Sequence, residues 1–136
     1  MLLNEEESFG IKNYKTYQDF GEKIKELREN VISNIKILRS NKKKIVGFGA
    51  PAKATTALNF FGISNEIEFI IEDNKLKHNK YIPGVLIPIK NKNYLNGKDN
   101  LIIVLAWNFY KEIKDNNANL GSNFINIKDL EKKDFK

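Results

Sequence analysis

The stretch Lys44–Phe61, KIVGFGAPAKATTALNFF, constrains the fold more than any other part of the chain. Ile45-Val46 is an apolar, β-branched run and Gly47-Phe48-Gly49 a glycine turn. Pro51 suits a helix start, after which Ala52–Phe61 reads as a helix. Strand, glycine turn and helix in immediate succession form the first unit of a nucleotide-binding α/β sheet. The glycines let the backbone bend tightly and approach a ligand. The helix then aims its free N–H groups and positive dipole end at an anion in the crevice. Lys53 adds a cation in the first turn.

The rest of the chain completes this sheet or packs against it. Residues 1–15, with the acidic cluster Glu5-Glu6-Glu7, read as an irregular lead-in. Thr16-Tyr17-Gln18-Asp19 fits a capping box, so a helix is expected from Thr16. Tyr17, Phe20, Ile24, Leu27, Val31, Ile35 and Leu38 recur every three or four residues and form one apolar stripe. That stripe suits a helix covering the sheet, or a connector docking a preceding domain. Strands are expected at Ile67–Ile71, Val85–Ile89, Leu101–Ala106 and Phe124–Ile127, and a helix at Phe109–Asn116. Pro88 places the Val85–Ile89 strand at an edge, since proline cannot donate to a ladder, and Pro83-Gly84 suits the centre of a type II turn. The tail Lys128–Lys136 reads as a charged, partly helical end.

Strands alternating with helices predict an α/β fold, a Rossmann-like parallel sheet with helices on both faces after a long N-terminal helix. Right-handed crossovers predict the strand order 3-2-1-4-5, with the crevice beside the carboxyl ends of strands 1 and 4. The expected organisation is a lead-in and connector helix over 1–41 and the Rossmann-like unit over 42–136, one compact domain in all.

Composition narrows the chemistry. With 136 residues the chain suits one domain, and with no cysteine it has no disulfide, thiol nucleophile or cysteine zinc site. The single histidine, His78, gives a conventional Ser-His-Asp triad no support. The net charge of +6 comes from lysines spread among acids, which favours an anionic small molecule over nucleic acid. The start, MLLNEEESFG, lacks the basic segment and apolar core of a signal peptide, and no apolar run approaches the roughly 20 residues of a membrane span. A cytoplasmic protein without membrane contact is expected.

The predicted topology gathers candidate site residues at one sheet edge. Gly49, Ala50, Pro51, Ala52 and Lys53 follow strand 1, Glu72 and Asp73 follow strand 2, and Trp107 and Asn108 follow strand 4. An acid about 20 residues past the glycines meets a ribose hydroxyl in dinucleotide-binding folds, and Glu72 or Asp73 falls near that place. Yet Ala52 stands at the third glycine position, and Pro51 removes an N–H that would cradle a pyrophosphate. Lys53 reads as a surface lysine or a ligand contact. Asn59 reads as a backbone partner or a site residue, and Trp107 as core, lid or aromatic platform.

The segments GFGAPAKATTALNFFGI, IEDNKLKHNKYIPGVLIPI and IVLAWNFYKEI, in that order, resemble the C-terminal domain of the SAM-dependent sugar C-methyltransferases. The similarity runs from about Tyr17 to Ile127 and is strongest at Gly47-x-Gly49-Ala50-Pro51-Ala52-Lys53, Asn59 with Gly62-Ile63, Lys77 with Pro83-Gly84 and Ile87-Pro88, and Trp107-Asn108. The family usually has glycine where Ala54 and Asn79 stand here. The resemblance implies a complete enzyme with a cysteine-rich zinc segment and a separate SAM-binding domain, neither present in this chain. It implies that SAM is the cofactor of the complete enzyme and does not bind here. This domain would hold the nucleotide-sugar substrate, with Gly49–Lys53 and Trp107-Asn108 facing a cleft shared with the SAM-binding methyltransferase domain. Two other readings stand beside it: a self-standing NAD-like nucleotide-binding module, and a structural docking domain attached through the Tyr17–Leu38 helix.

Overall fold

The structure is a computed structural model that describes residues 2–40, 44–50, 52–95, 100–120 and 123–133, with the side chains of residues 2–14 left aside. Helix α1 (Leu2–Ser40) leads into strand β1 (Lys44–Phe48) and helix α2 (Ala52–Phe61). Strands β2 (Ile70–Ile71), β3 (Ile89–Lys90) and β4 (Asn100–Val104) follow, then helix α3 (Tyr110–Asn116) and strand β5 (Asn123–Asn126). All four strand pairings are parallel and the order is β3-β2-β1-β4-β5, as the crossover rule predicts. β1 lies at the centre, with Gly47 opposite Ile103 on one side and Ile70 on the other. Among the described residues no helix is long and apolar enough to cross a membrane.

The sheet separates two apolar clusters. Ile45, Ile103 and Leu105 pack with Ala54 and Leu58 of α2 and with Val31 and Ile35 of α1. Val46, Phe48, Ile71, Ile102 and Val104 form the other cluster, joined by Tyr110 and Ile113 of α3. Burial on both faces is why these strands read as continuous apolar runs rather than alternating ones. The Tyr110 phenol donates to the Phe124 carbonyl at 3.0 Å, tying α3 to β5. Burial, and then the Asp129 carboxylate, hold its pKa above the ordinary tyrosine value, so it remains a donor.

Three local expectations need correction. The helix expected from Thr16 begins at Leu2, so the capping-box pattern lies inside it and residues 2–15 are helical. Leucine and glutamate are good helix formers, and Gly10 costs only about 1 kcal/mol without stopping the hydrogen-bond ladder. The strand expected at Ile67–Ile71 is regular only at Ile70–Ile71, although Glu68 N–H donates to the Ile45 carbonyl at 3.0 Å and keeps the approach extended. The strand expected at Val85–Ile89 is displaced to Ile89–Lys90, because the preceding turn runs on through Leu86 at φ +57. Gly84 at φ +87 has the backbone that the centre of a type II turn requires, and the turn runs on, with Leu86 N–H donating to the Ile82 carbonyl at 2.9 Å. β3 is an edge strand, where Pro88 was expected to put it.

The apolar stripe of α1 divides in two. Val31 and Ile35 are buried and Leu38 packs beside them, whereas Tyr17 and Phe20 are 68% and 61% exposed. The buried half is fastened by polar ties as well. Asn34 Nδ2 donates to the Leu130 and Lys132 carbonyls at 2.8 and 2.9 Å, and Asn30 Nδ2 to the Glu131 carbonyl at 3.0 Å.

Gly84 sits at φ +87, and a Cβ built there would lie 2.0 Å from Asn59 Oδ1. Gly84→Ala is therefore expected to lower stability by about 1–3 kcal/mol, mostly through backbone strain, since Asn59 is exposed and can shift at the cost of its bonds to the Thr55 and Pro83 carbonyls. Thermal unfolding checks this, and adding Asn59→Ala should recover only a minor part.

Candidate functional site

The carboxyl edge of the sheet carries the site, because β1, β2, β4 and β5 all end there and hand over to turns that face one another. β1 passes into Gly49, whose φ of +91 suits a residue without Cβ. Gly49 N–H donates to the Ile71 carbonyl at 2.8 Å, which continues the pairing beyond the strand. The Ala50 N–H then donates to Glu72 Oε2 at 2.7 Å, and Glu72 Oε1 accepts from Asn74 N–H at 3.1 Å. Lys77 Nζ donates to the Ala50 carbonyl at 2.8 Å, and the His78 ring contacts the Glu72 carbonyl. The turn after β1 and the segment after β2 are thus sewn together by side chains. An amide that a dinucleotide phosphate would take in a fold of this type is held by the protein's own carboxylate.

Among the described residues, cavities that hold the strand-exit side chains open along this edge. The first, about 310 Å³, is lined by Ala52, Lys53, Leu105, Ala106, Trp107, Asn108 and Phe109. The second, about 420 Å³, lies beside Gly49, Glu72, Asp73, Lys77, Lys92 and Glu112. Ala106 and Phe109 belong to both walls, so the segment that leaves β4 divides the crevice. The first cavity is mainly apolar with one cation, Lys53, in its lining, and the second mixes acids and lysines.

The sequence-predicted residues divide accordingly. Ala52, Lys53, Trp107 and Asn108 meet in the first cavity, and Gly49, Glu72, Asp73 and Lys77 in the second. Ala50 is buried between them, and Pro51 lies outside the described residues. Asn59 is in neither cavity: its Nδ2 donates to the Thr55 and Pro83 carbonyls, both at 2.8 Å. Asp73 pairs with Lys92 at 3.6 Å on an exposed surface. Asn79, where the resembling family has glycine, adopts φ +61, a region that asparagine tolerates better than most residues.

Trp107 is the centre of the first cavity. Its half-buried ring carries the Lys53 ammonium 5.6 Å from its centroid and the Lys128 ammonium at 4.8 Å, both within cation–π range. Lys53 makes no ion pair among the described residues, and α2 has no acid in its first turn. Lys53 and a positive helix end therefore border one apolar cavity, and Lys128 lies against the ring of its Trp107 wall, a field that favours an anion carrying a flat or apolar group. Lys128, Lys92 and Phe109 were not foreseen from the sequence. The available signal for Lys128 was Asn126-Ile127-Lys128 at the end of the last strand, where a parallel sheet brings its carboxyl end to the same edge as the others.

The family described as the C-methyltransferase C-terminal domain matches residues 1–127. The chain is also similar to C-methyltransferase NovU of Streptomyces niveus, 32% identical over 129 residues that cover 91% of this chain and 31% of that protein. It thus spans about a third of the length of this curated relative.

Proposed function

The chain belongs to the C-methyltransferase C-terminal domain family, and on that premise we propose that it is the substrate-side domain of a SAM-dependent C-methyltransferase acting on a nucleotide-activated sugar. The observation that carries this is the first cavity, where Trp107 offers an aromatic face and Lys53 a cation at a helix start. Methylation of a carbon beside a ketone needs a base to form the enolate, a methyl donor aligned with the carbon, and exclusion of water. This domain contributes binding and positive potential rather than the base or the donor. The engagement of Glu72 with the Ala50 amide supports assigning SAM to the partner methyltransferase domain. The same engagement weighs against a self-standing NAD-like module, which needs an acid at that place for a ribose. The partner domain docks on the exposed part of α1, where Tyr17 and Phe20 continue the stripe that Val31 and Ile35 bury.

The chain contains one tryptophan, so its fluorescence reports on this cavity alone. UDP-glucose is expected to change that emission with a dissociation constant near the millimolar range, as befits half of a two-domain site. Lys53→Ala is expected to weaken binding about tenfold, the loss of one charge-assisted contact, without changing the thermal midpoint. A saturable response to SAM or NAD with none to UDP-glucose would overturn the assignment.

A further inference from the structure

We propose that Lys128 is a second substrate-binding cation, which with Lys53 flanks Trp107 and holds the diphosphate of the nucleotide sugar; this rests on the substrate class assigned above. The three residues come from three different strand exits. Lys53 follows β1 through the glycine turn, Trp107 follows β4, and Lys128 follows β5. The sheet brings those exits to one edge, so residues 21 to 75 positions apart in sequence share one ring.

Local structure holds Lys128 there. Asn126 Oδ1 accepts from the Lys128 N–H at 3.1 Å, and Asn126 Nδ2 reaches the Trp107 carbonyl at 3.4 Å. One asparagine thus ties the Lys128 turn to the Trp107 segment. The turn itself, Ile127–Glu131, is pinned by the buried side chains of Ile127 and Leu130 on either side of Lys128. The ammonium stands 4.8 Å from the ring centroid and keeps Glu131 Oε1 at 3.2 Å, with 48% of the side chain exposed. An exposed pair of that kind contributes little and yields readily to a stronger anion. Both ammonium groups lie against the one indole. A diphosphate that reaches both gains two charge-assisted contacts, and the base or sugar of the same ligand covers the apolar wall.

The test uses the whole chain with UDP and uridine as probes, read by Trp107 fluorescence and checked by calorimetry. The wild type is expected to bind UDP about tenfold or more tightly than uridine, with the difference shrinking as salt is raised. Lys128→Ala and Lys128→Gln should each remove about fivefold of that advantage and leave uridine affinity unchanged, while Lys128→Arg retains it. Lys132→Ala is the net-charge control: that exposed lysine pairs with Asp129 in the same turn and is expected to leave UDP affinity unaltered. Wild-type UDP affinity in both Lys128 variants, with Lys53→Ala still weakened, would overturn the role of Lys128 and leave the proposed function standing. Equal losses in the Lys132 and Lys128 variants would reduce the effect to net charge and also overturn it. Failure of the wild type to bind either UDP or UDP-glucose would remove both proposals.

Discussion

Trp107→Ala, made in a methyltransferase that carries this domain, is expected to raise KM for the nucleotide sugar about 10–100-fold while changing kcat little. The ring supplies a flat face worth about 1–3 kcal/mol to a stacked base, and it is the surface against which Lys53 and Lys128 rest. Its removal takes away the platform and lets both lysines disperse. Because the interaction is formed before the methyl group moves and remains while it moves, the loss falls on KM and not on kcat. KM for SAM should be unaltered. Trp107 also packs on the main core, so thermal unfolding is measured beside the kinetics. Trp107→Phe keeps an aromatic face and is expected to retain most of the affinity, whereas Trp107→Leu keeps apolar packing and loses it. A fall in kcat at constant KM would place the ring at the chemical step and refute the positioning role.

Asn34→Leu is expected to cost about 2–4 kcal/mol and to lower the midpoint of thermal unfolding by roughly 10 °C. The side chain is 5% exposed and its amide serves two carbonyls, those of Leu130 and Lys132. Leucine preserves the volume but leaves both acceptors without this donor, and desolvated carbonyls cost more than the hydrogen bonds themselves contribute. The amide also links α1 to the turn that carries Lys128, so the variant should weaken UDP binding secondarily. Asn30→Leu, at a half-buried position with one carbonyl to serve, should cost distinctly less. A loss below about 1 kcal/mol for Asn34→Leu would mean that Val31 and Ile35 alone hold the helix.

The central unit was legible because its signals are local. β1 and α2 follow from apolar β-branched residues, a glycine turn and a helical run within 18 residues, and α2 spans Ala52–Phe61 as the pattern predicts. The strand order followed from chain handedness once the alternation of strands and helices was read. The start of α1 and the third strand were misread because the deciding signals are weak or hidden. A Thr-x-x-Asp pattern also occurs inside helices, and the left-handed backbone at Leu86 has no residue-type signature.

The site was legible to the level of which strand ends would meet and no further. Ala52, Lys53, Trp107 and Asn108 were anticipated and do share a cavity. Asn34 interrupts an apolar face and gave no sign of its partners, which lie 96 and 98 residues away. Lys128 looked like part of a charged tail.

The amino-acid sequence by itself determined the α/β class, the parallel order and which strand exits share one edge, since periodicity, glycine turns and handedness act over short stretches. Only the tertiary structure decided what each polar side chain does there. Glu72 stands at the spacing of a ribose-binding acid, yet its carboxylate closes on an amide 22 residues back. Lys128 and Lys53 share one ring because β1 and β5, far apart in the chain, flank β4, whose exit carries Trp107. The physical reason is that a charged or hydrogen-bonding group takes the nearest satisfying partner in space, and folding chooses that partner from anywhere in the chain.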